Sequence, residues 1–272
     1  MKLSGKTLAG ILAGSLCLSA ARANERRFTY TYEPETMPQG AFEFEQWATV
    51  RAGRNAAVGQ QDFRLWEIRH SLEYGVTENY TVELYVNENF THFHDPANGT
   101  TTSDFSFEGI SVENRYLVLN PAEHPVGLTL YLEPRFSGPE AEVEEKIILG
   151  QRHGDWRWAL NLTHATDWSD HFRSTEGEAE LSLGLARDLS PHWTLGLEAR
   201  DHNEIPDYRH WENTAVFVGP AVSYRRDQWW AVLSVLPQVY GGNFVSNLDQ
   251  NPHLDLESHE RVNIRLIFGV QF

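Results

Sequence analysis

The sequence predicts an all-β chain: a transmembrane antiparallel up-and-down β-barrel of about twelve strands, with short periplasmic turns and longer extracellular loops. Three observations predict it. First, the closing stretch from Arg261 to Phe272 alternates. Val262, Ile264, Leu266, Phe268, Val270 and Phe272 share one face of an extended strand. Arg261, Asn263, Arg265, Gly269 and Gln271 take the other, where Ile267 is the apolar exception. Second, about twelve segments repeat that period, each roughly 10–15 residues long, and a tilted strand needs about 9–11 to cross a bilayer. Third, the connections alternate short and long, which suits a meander closed on itself better than a sandwich with Greek-key crossings.

Taken in order, residues 1–23 read as a cleaved signal peptide. Lys2 and Lys6 supply the charge, Leu8 to Ala20 the short apolar run, and Ala21-Arg22-Ala23 the cleavage site. A lipoprotein signal using Cys17 is disfavoured because Leu16 stands where a small residue is needed. Cys17 is the single cysteine and leaves with the signal, so no disulfide or thiol ligand is expected. Residues 24–40 are expected as an amino-terminal periplasmic segment, and 41–272 as the barrel.

The strands are expected near 41–52, 62–75, 80–92, 105–119, 126–136, 142–151, 155–165, 178–188, 192–202, 213–225, 229–239 and 260–272. Tight turns fall at Thr77-Glu78-Asn79, Arg152-His153-Gly154, Leu189-Ser190-Pro191 and Arg226-Asp227-Gln228, with a slightly longer link from Asn120 to Pro125. Longer polar links are expected near 53–61, 93–104, 137–141, 166–177, 203–212 and 240–259. Starting and ending on one side of a membrane requires an even strand number, and twelve satisfies it. Pro134, Pro220 and Pro237 each remove a ladder donor, so bulges or strand ends are expected there.

Composition sets limits. No apolar run of about 18 residues follows Asn24, so no transmembrane helix is expected. The formal charge is -16, and removing Lys2, Lys6 and Arg22 leaves -19 for the mature chain, which argues against nucleic acid as a partner. Tyr74, Tyr80, Tyr116, Trp156, Trp193, Tyr224, Trp229 and Phe272 gather beside the short turns, as an aromatic girdle at a membrane interface would. Ordinary core aromatics would not cluster at one set of turns.

The faces opposite the apolar ones carry the charges. Parity places Glu67, Arg69, Glu113, Arg115, Glu133, Arg135, Lys146, Arg157, Glu180, Glu198, Arg200, Arg261 and Arg265 in the lumen, within a nearly balanced set of acids and bases. Ionised groups are costly against lipid, so they must meet water or each other. The mixture predicts partial pairing around a narrow conduit whose transverse field orients polar solutes; a fully paired plug is the rival.

Catalytic patterns are weak. His70 and Ser71 are adjacent, so they point to opposite faces of a strand and cannot pair as nucleophile and base. Asp167, Asp170, His164 and His171 offer a protease-like rim, as any acidic loop would. His92-Phe93-His94 puts two imidazoles on one face of an extended chain, a candidate site for zinc, nickel or copper. No G-x-x-x-x-G-K-[ST] loop is present, and no cofactor is expected.

The aromatic carboxy-terminus, with Phe268, Val270 and Phe272 as its outward signature, resembles the closing strand of bacterial outer-membrane β-barrels. That resemblance implies outer-membrane lipids and the barrel assembly machinery as partners. Four further motifs extend it: Pro38-Gln39-Gly40-Ala41-Phe42-Glu43-Phe44-Glu45, Arg69 to Asn79, Glu113-Asn114-Arg115-Tyr116, and Leu130-Tyr131-Leu132-Glu133-Pro134. Together they resemble the MetA-type phenol-degradation or "transporter" family of outer-membrane barrels. The resemblance implies passage of a small solute that it does not identify. A closed structural or adhesion barrel whose loops bind ligands is the alternative reading.

Overall fold

The computed structural model describes residues 25–246, 248 and 251–272. The expected signal peptide, with Cys17 and its cleavage site, lies outside the described residues. Twelve strands form one closed antiparallel barrel in which each pairs with the next. They are β1 (Phe42–Ala52), β2 (Gln61–Thr77), β3 (Tyr80–Asp95), β4 (Thr100–Leu119), β5 (Gly127–Ser137) and β6 (Glu140–His153). β7 (Trp156–Ser169), β8 (Ser174–Asp188), β9 (Trp193–Pro206), β10 (Asn213–Arg226), β11 (Trp229–Asn243) and β12 (Val262–Gln271) complete it. A one-turn 3-10 helix, Ala56–Val58, sits in the first outer link. No described helix is long and apolar enough to cross a membrane.

The terminal strand closes the wall. β12 pairs with β1 from Glu43 opposite Gln271 to Ala52 opposite Val262, and the Phe272 N–H donates to the Phe42 carbonyl at 3.0 Å. Period two then sorts the side chains. Leu84, Leu132, Leu162, Leu183, Leu197, Leu233 and Leu266 are exposed on the outside. The aromatics at the short-turn end touch in series: Phe42 stacks on Tyr74 at 4.4 Å, and Trp193, Tyr224, Trp229 and Phe268 follow one another around the rim. Ile267 faces inward and packs in a buried cluster with Trp47, Tyr85 and Trp230, which explains why one apolar residue breaks the polar face of β12.

The strands run further than their apolar stretches. β3 and β4 continue to Asp95 and from Thr100, and β7 and β8 to Ser169 and from Ser174, so the long links expected near 93–104 and 166–177 shrink to tight hairpins. Antiparallel pairing needs only backbone partners. Once the wall leaves the apolar band, polar residues such as Thr100, Thr101 and Thr102 extend it without an oily face. The proline expectation is met at two of the three sites: the β10–β11 register shifts between Val216 and Phe217 with no pair at Pro220, and Pro237 is the last β11 residue paired with β12, whereas Pro134 keeps an unshifted register opposite Val143. A second shift, between Asn87 and Glu88 against β4, centres on Gly109. Its φ of 96° and its approach to the Phe136 carbonyl exclude a Cβ.

The amino-terminal segment is the main departure. Residues 24–40 are expected in the periplasm, whereas residues 25–40 lie in the hollow at the short-turn end. Phe28, Thr29, Tyr30, Thr31, Tyr32 and Met37 are all buried. This belt has no partner strand, so side chains satisfy its backbone. The Glu198 carboxylate accepts from the N–H groups of Thr29, Tyr30 and Thr31 at 3.1, 2.7 and 2.6 Å. Asn161 accepts from the Tyr32 N–H and donates to its carbonyl. The Thr81 hydroxyl accepts from the Met37 N–H at 2.8 Å. Phe28 fills a hollow made by Ala159, Ala186 and Ala221, and a Cβ on Gly184 would come within 2.7 Å of its ring.

Candidate functional site: an outward-open charged cup

Above the belt the lumen is a cup of about 370 Å³. Its floor is built by Tyr30 and Tyr32 of the belt and Trp47 of β1. Cations cover these rings: the Arg265 guanidinium lies 3.7 Å from the Tyr30 centroid, Arg26 lies 3.8 Å from Tyr32, and Arg69 lies 5.3 Å from Trp47. The floor is therefore made of aromatic rings packed against guanidinium groups.

The wall is divided by sign. Arg51, Arg69, Arg200 and Arg265 line it on the arc β9–β12–β1–β2, where Glu67 is the acid. Glu88, Glu108, Glu133, Glu142, Glu144, Asp167, Glu178 and Glu180 line the arc β3 to β8, where Arg135 and Lys146 are the cations. Many of these charges pair. Arg51 meets Glu67 at 2.9 Å, Lys146 meets Glu144 at 2.7 Å, and Arg200 Nε donates to Glu180 at 3.0 Å. Arg69 spans towards the acidic arc, donating to Glu133 and, at 2.9 Å, to the Asn87 side-chain oxygen Oδ1. Arg135 pairs with Glu142 and with Asp167 at 3.4 Å. Cations on one side and a surplus of acids on the other create a field across the opening.

Eight of the thirteen lumen residues expected from sequence line the cup: Glu67, Arg69, Glu133, Arg135, Lys146, Glu180, Arg200 and Arg265. Glu113 is buried beneath it, where it accepts a 3.0 Å bond from the Tyr32 hydroxyl. Three serve the belt and the closed end. Glu198 holds the belt backbone. Arg157 pairs with Glu33 at 3.1 Å and Asp188 at 2.8 Å. Arg115 pairs with Glu73, with Glu113 at 2.6 Å and with Glu83 at 3.7 Å, all buried. Arg261 is corrected: it precedes β12, is exposed, and does not line the cup. Its backbone still bonds Gly53 and Gln238, each at 2.8 Å, but at this end of the wall the side chain meets solvent and not the cup.

The deciding comparison concerns sequence. A family model matches residues 20–147 and 151–272. The chain belongs to a family of unknown function, DUF6662. It is this family, and not the MetA-type one that the short motifs resemble, that the match shows. No functionally curated protein matches. Among solved structures, this DUF6662 barrel is similar to the COG4313 outer membrane channel from Pseudomonas putida F1. The identity is 14%, over 90% of this chain and 100% of that one, with a TM-score of 0.59. It is also similar to the NanC porin, at 11% identity over 84% of this chain and 98% of that one, with a TM-score of 0.52. At such identities the likeness is one of fold: a closed antiparallel β-barrel.

The DUF6662 barrel separates the other candidate groups. His92 and His94 lie on strand β3, bonded to the Ser103 hydroxyl at 2.7 Å and the Thr101 hydroxyl at 3.1 Å. Among the described residues, no third ligand joins them in a metal-sized group. His164 contacts the Tyr208 hydroxyl at 3.0 Å, whereas Asp167, three positions on, lines the cup. Asp170 and His171 stay exposed at the hairpin tip. Ser71 is buried and His70 lies on the opposite face.

A group that sequence reading missed lies at the outer end. His202 and Glu204, two apart on β9, share its inward face, and the link between β11 and β12 folds in to bring His259 beside them. His259 stands 5.3 Å from the His202 ring in an edge-on contact. Burial, together with neighbouring His202, Arg200 and Arg54, pushes the His259 imidazole down to about 2, so it is neutral. The signal available was the H-x-E spacing at 202–204. Its third member is 55 positions away and depends on the loop's path.

Proposed function

We propose that this barrel sits in the bacterial outer membrane and is a passive channel for small polar solutes, closed towards the periplasm by its own amino-terminal belt. One observation carries the reading: the division of charge around an outward-open cup whose floor is largely belt. A solute with separated charges would align across the cup, its anionic end towards Arg51, Arg69 and Arg265 and its cationic end towards Glu142, Glu144 and Glu178. Acids outnumber cations in the lining, so zwitterionic and cationic solutes should enter more easily than anions. The cup narrows onto Tyr30 and Tyr32, so passage would require the belt to move aside. The lipid-facing leucines and the aromatic rim support membrane residence, and the Phe268-Val270-Phe272 ending supports recognition by the assembly machinery. The motifs resembling MetA-type barrels agree with passage but name no solute site.

The closed floor favours a second reading, a ligand-binding barrel that never opens. Planar-bilayer recording separates the two. Full-length refolded protein should show rare, small steps, and a chain lacking residues up to 36 should show larger, frequent ones with cation preference. Silence from both, with heat-modifiable gel mobility retained, would leave the binding reading and remove the channel.

A further inference from the structure

We infer that His202, Glu204 and His259 form a binding site for a divalent transition metal, with zinc as the reference ion. One donor atom from each lies within 4.8 Å of the others. Donors around a tetrahedral zinc, each about 2.1 Å from it, stand about 3.4 Å apart, so small rotamer changes would close the set. Two imidazoles and a carboxylate suit zinc, nickel or copper better than magnesium or calcium, which prefer oxygen.

The surroundings are arranged as those of metal ligands are. The Asn213 side chain joins two members. Its carbonyl oxygen lies 2.7 Å from His259 Nε2, and its amide donates to Glu204 Oε2 at 2.5 Å. A carbonyl oxygen can only accept, so His259 Nε2 carries the proton and Nδ1 keeps its lone pair for an ion. On His202, Nδ1 faces Glu180 at 3.2 Å, which leaves Nε2, 3.8 Å from Glu178. Each imidazole thus has one nitrogen hydrogen-bonded to an orienting partner and one outside hydrogen-bond reach of its neighbours. Glu178, Glu180 and Glu204 oppose the nearby Arg51, Arg54 and Arg200 charges, so a dication would not meet a wholly cationic environment. Three protein ligands leave a fourth position, and His202 lines the cup, so that position is open to water or to a carboxylate entering from outside.

Binding would also tie the β11–β12 link to β9. That link is already held: the Gln238 amide donates to the Asp255 and Glu260 carbonyls at 2.9 and 3.1 Å, and Arg261 N–H bonds the Gly53 carbonyl at 2.8 Å. A metal would add a crosslink between elements 55 residues apart in sequence. This inference is independent of the channel reading, because the site would exist in a barrel that never opens.

The test is isothermal titration of refolded full-length protein in detergent with zinc chloride. One site per chain is expected. His202→Ala and His259→Ala should each weaken it at least tenfold, and Asn213→Ala about tenfold through lost orientation. Glu204→Gln keeps the side chain's size and tests the carboxylate alone; it should weaken binding as well. His92→Ala with His94→Ala should leave it unchanged. Cobalt(II) absorption that changes in His259→Ala would support nitrogen ligation directly. The inference is overturned by no heat above buffer with the unmodified protein. It is equally overturned by unchanged affinity in folded Glu204→Gln and His259→Ala, or by a site lost only with His92 and His94.

Discussion

Replacing Glu198 with Gln tests whether the belt is a latch. The carboxylate accepts four hydrogen bonds from it: Tyr30 N–H and Thr31 N–H on Oε1, and Thr29 N–H and Thr29 hydroxyl on Oε2 at 3.1 and 3.0 Å. An amide has one accepting oxygen, so whichever way it turns, one of the two acceptors becomes a donor and two of the four hydrogen bonds are lost. Hydrogen bonds to a charged group contribute about 1.5–3 kcal/mol each, so two losses amount to about 3–6 kcal/mol. The Thr29 hydroxyl can rotate to accept from the amide, and water can replace part of the rest, so about 3 kcal/mol is the working value. At about 1.4 kcal/mol per factor of ten, the released-to-latched ratio should rise on the order of 100-fold. Two assays read this. In planar bilayers the variant should conduct far more often than the unmodified protein. In detergent, trypsin should cut at Arg26 and Arg27, which burial protects in the latched form, Arg27 being 5% exposed. Unchanged conductance and unchanged trypsin resistance in a heat-modifiable barrel would falsify the latch.

Further outcomes follow from the same geometry. Gly184→Leu puts atoms where the Phe28 ring lies, so it should also release the belt to trypsin while the barrel keeps its heat-modifiable mobility. Arg69→Ala with Arg265→Ala removes two of the four arginines on the cationic arc, and under a salt gradient the reversal potential of the belt-deleted channel should shift towards cations. An unchanged potential would mean that these guanidiniums do not set selectivity. Arg115→Ala removes the guanidinium that Glu73, Glu83 and Glu113 share, and should cost about 3–5 kcal/mol, seen as a lower temperature of heat modification. Removing Phe272 should lower the amount of assembled barrel in cells much more than the yield of refolding in detergent, because the latter needs no recognition of the carboxy-terminus.

Legibility differed by region. The strand centres were readable because each crossing must keep one face apolar, and Tyr80, Val82, Leu84 and Val86 or Trp193, Leu195 and Leu197 repeat that demand. The strand ends were not, since outside the apolar band His94, Thr101, Thr102 and Asp167 sit on strand extensions that backbone pairing sustains. Arg261 shows the opposite error: its backbone still bonds Gly53 and Gln238, but its side chain stands exposed outside the cup. Phe28-Thr29-Tyr30-Thr31-Tyr32 alternates like a strand, yet its backbone bonds side chains, and nothing in the pattern distinguishes the two fates.

By itself, then, the chain's alternation determined a wall with an oily outside and a charged inside, because a side chain's face depends only on its place in an extended backbone. What tertiary structure alone decided is which distant groups share the hollow. Glu198 reaches Tyr30 across 168 positions, and His259 reaches His202 across a folded link. Those meetings depend on barrel closure and on the paths of unpaired segments, and no local periodicity encodes either.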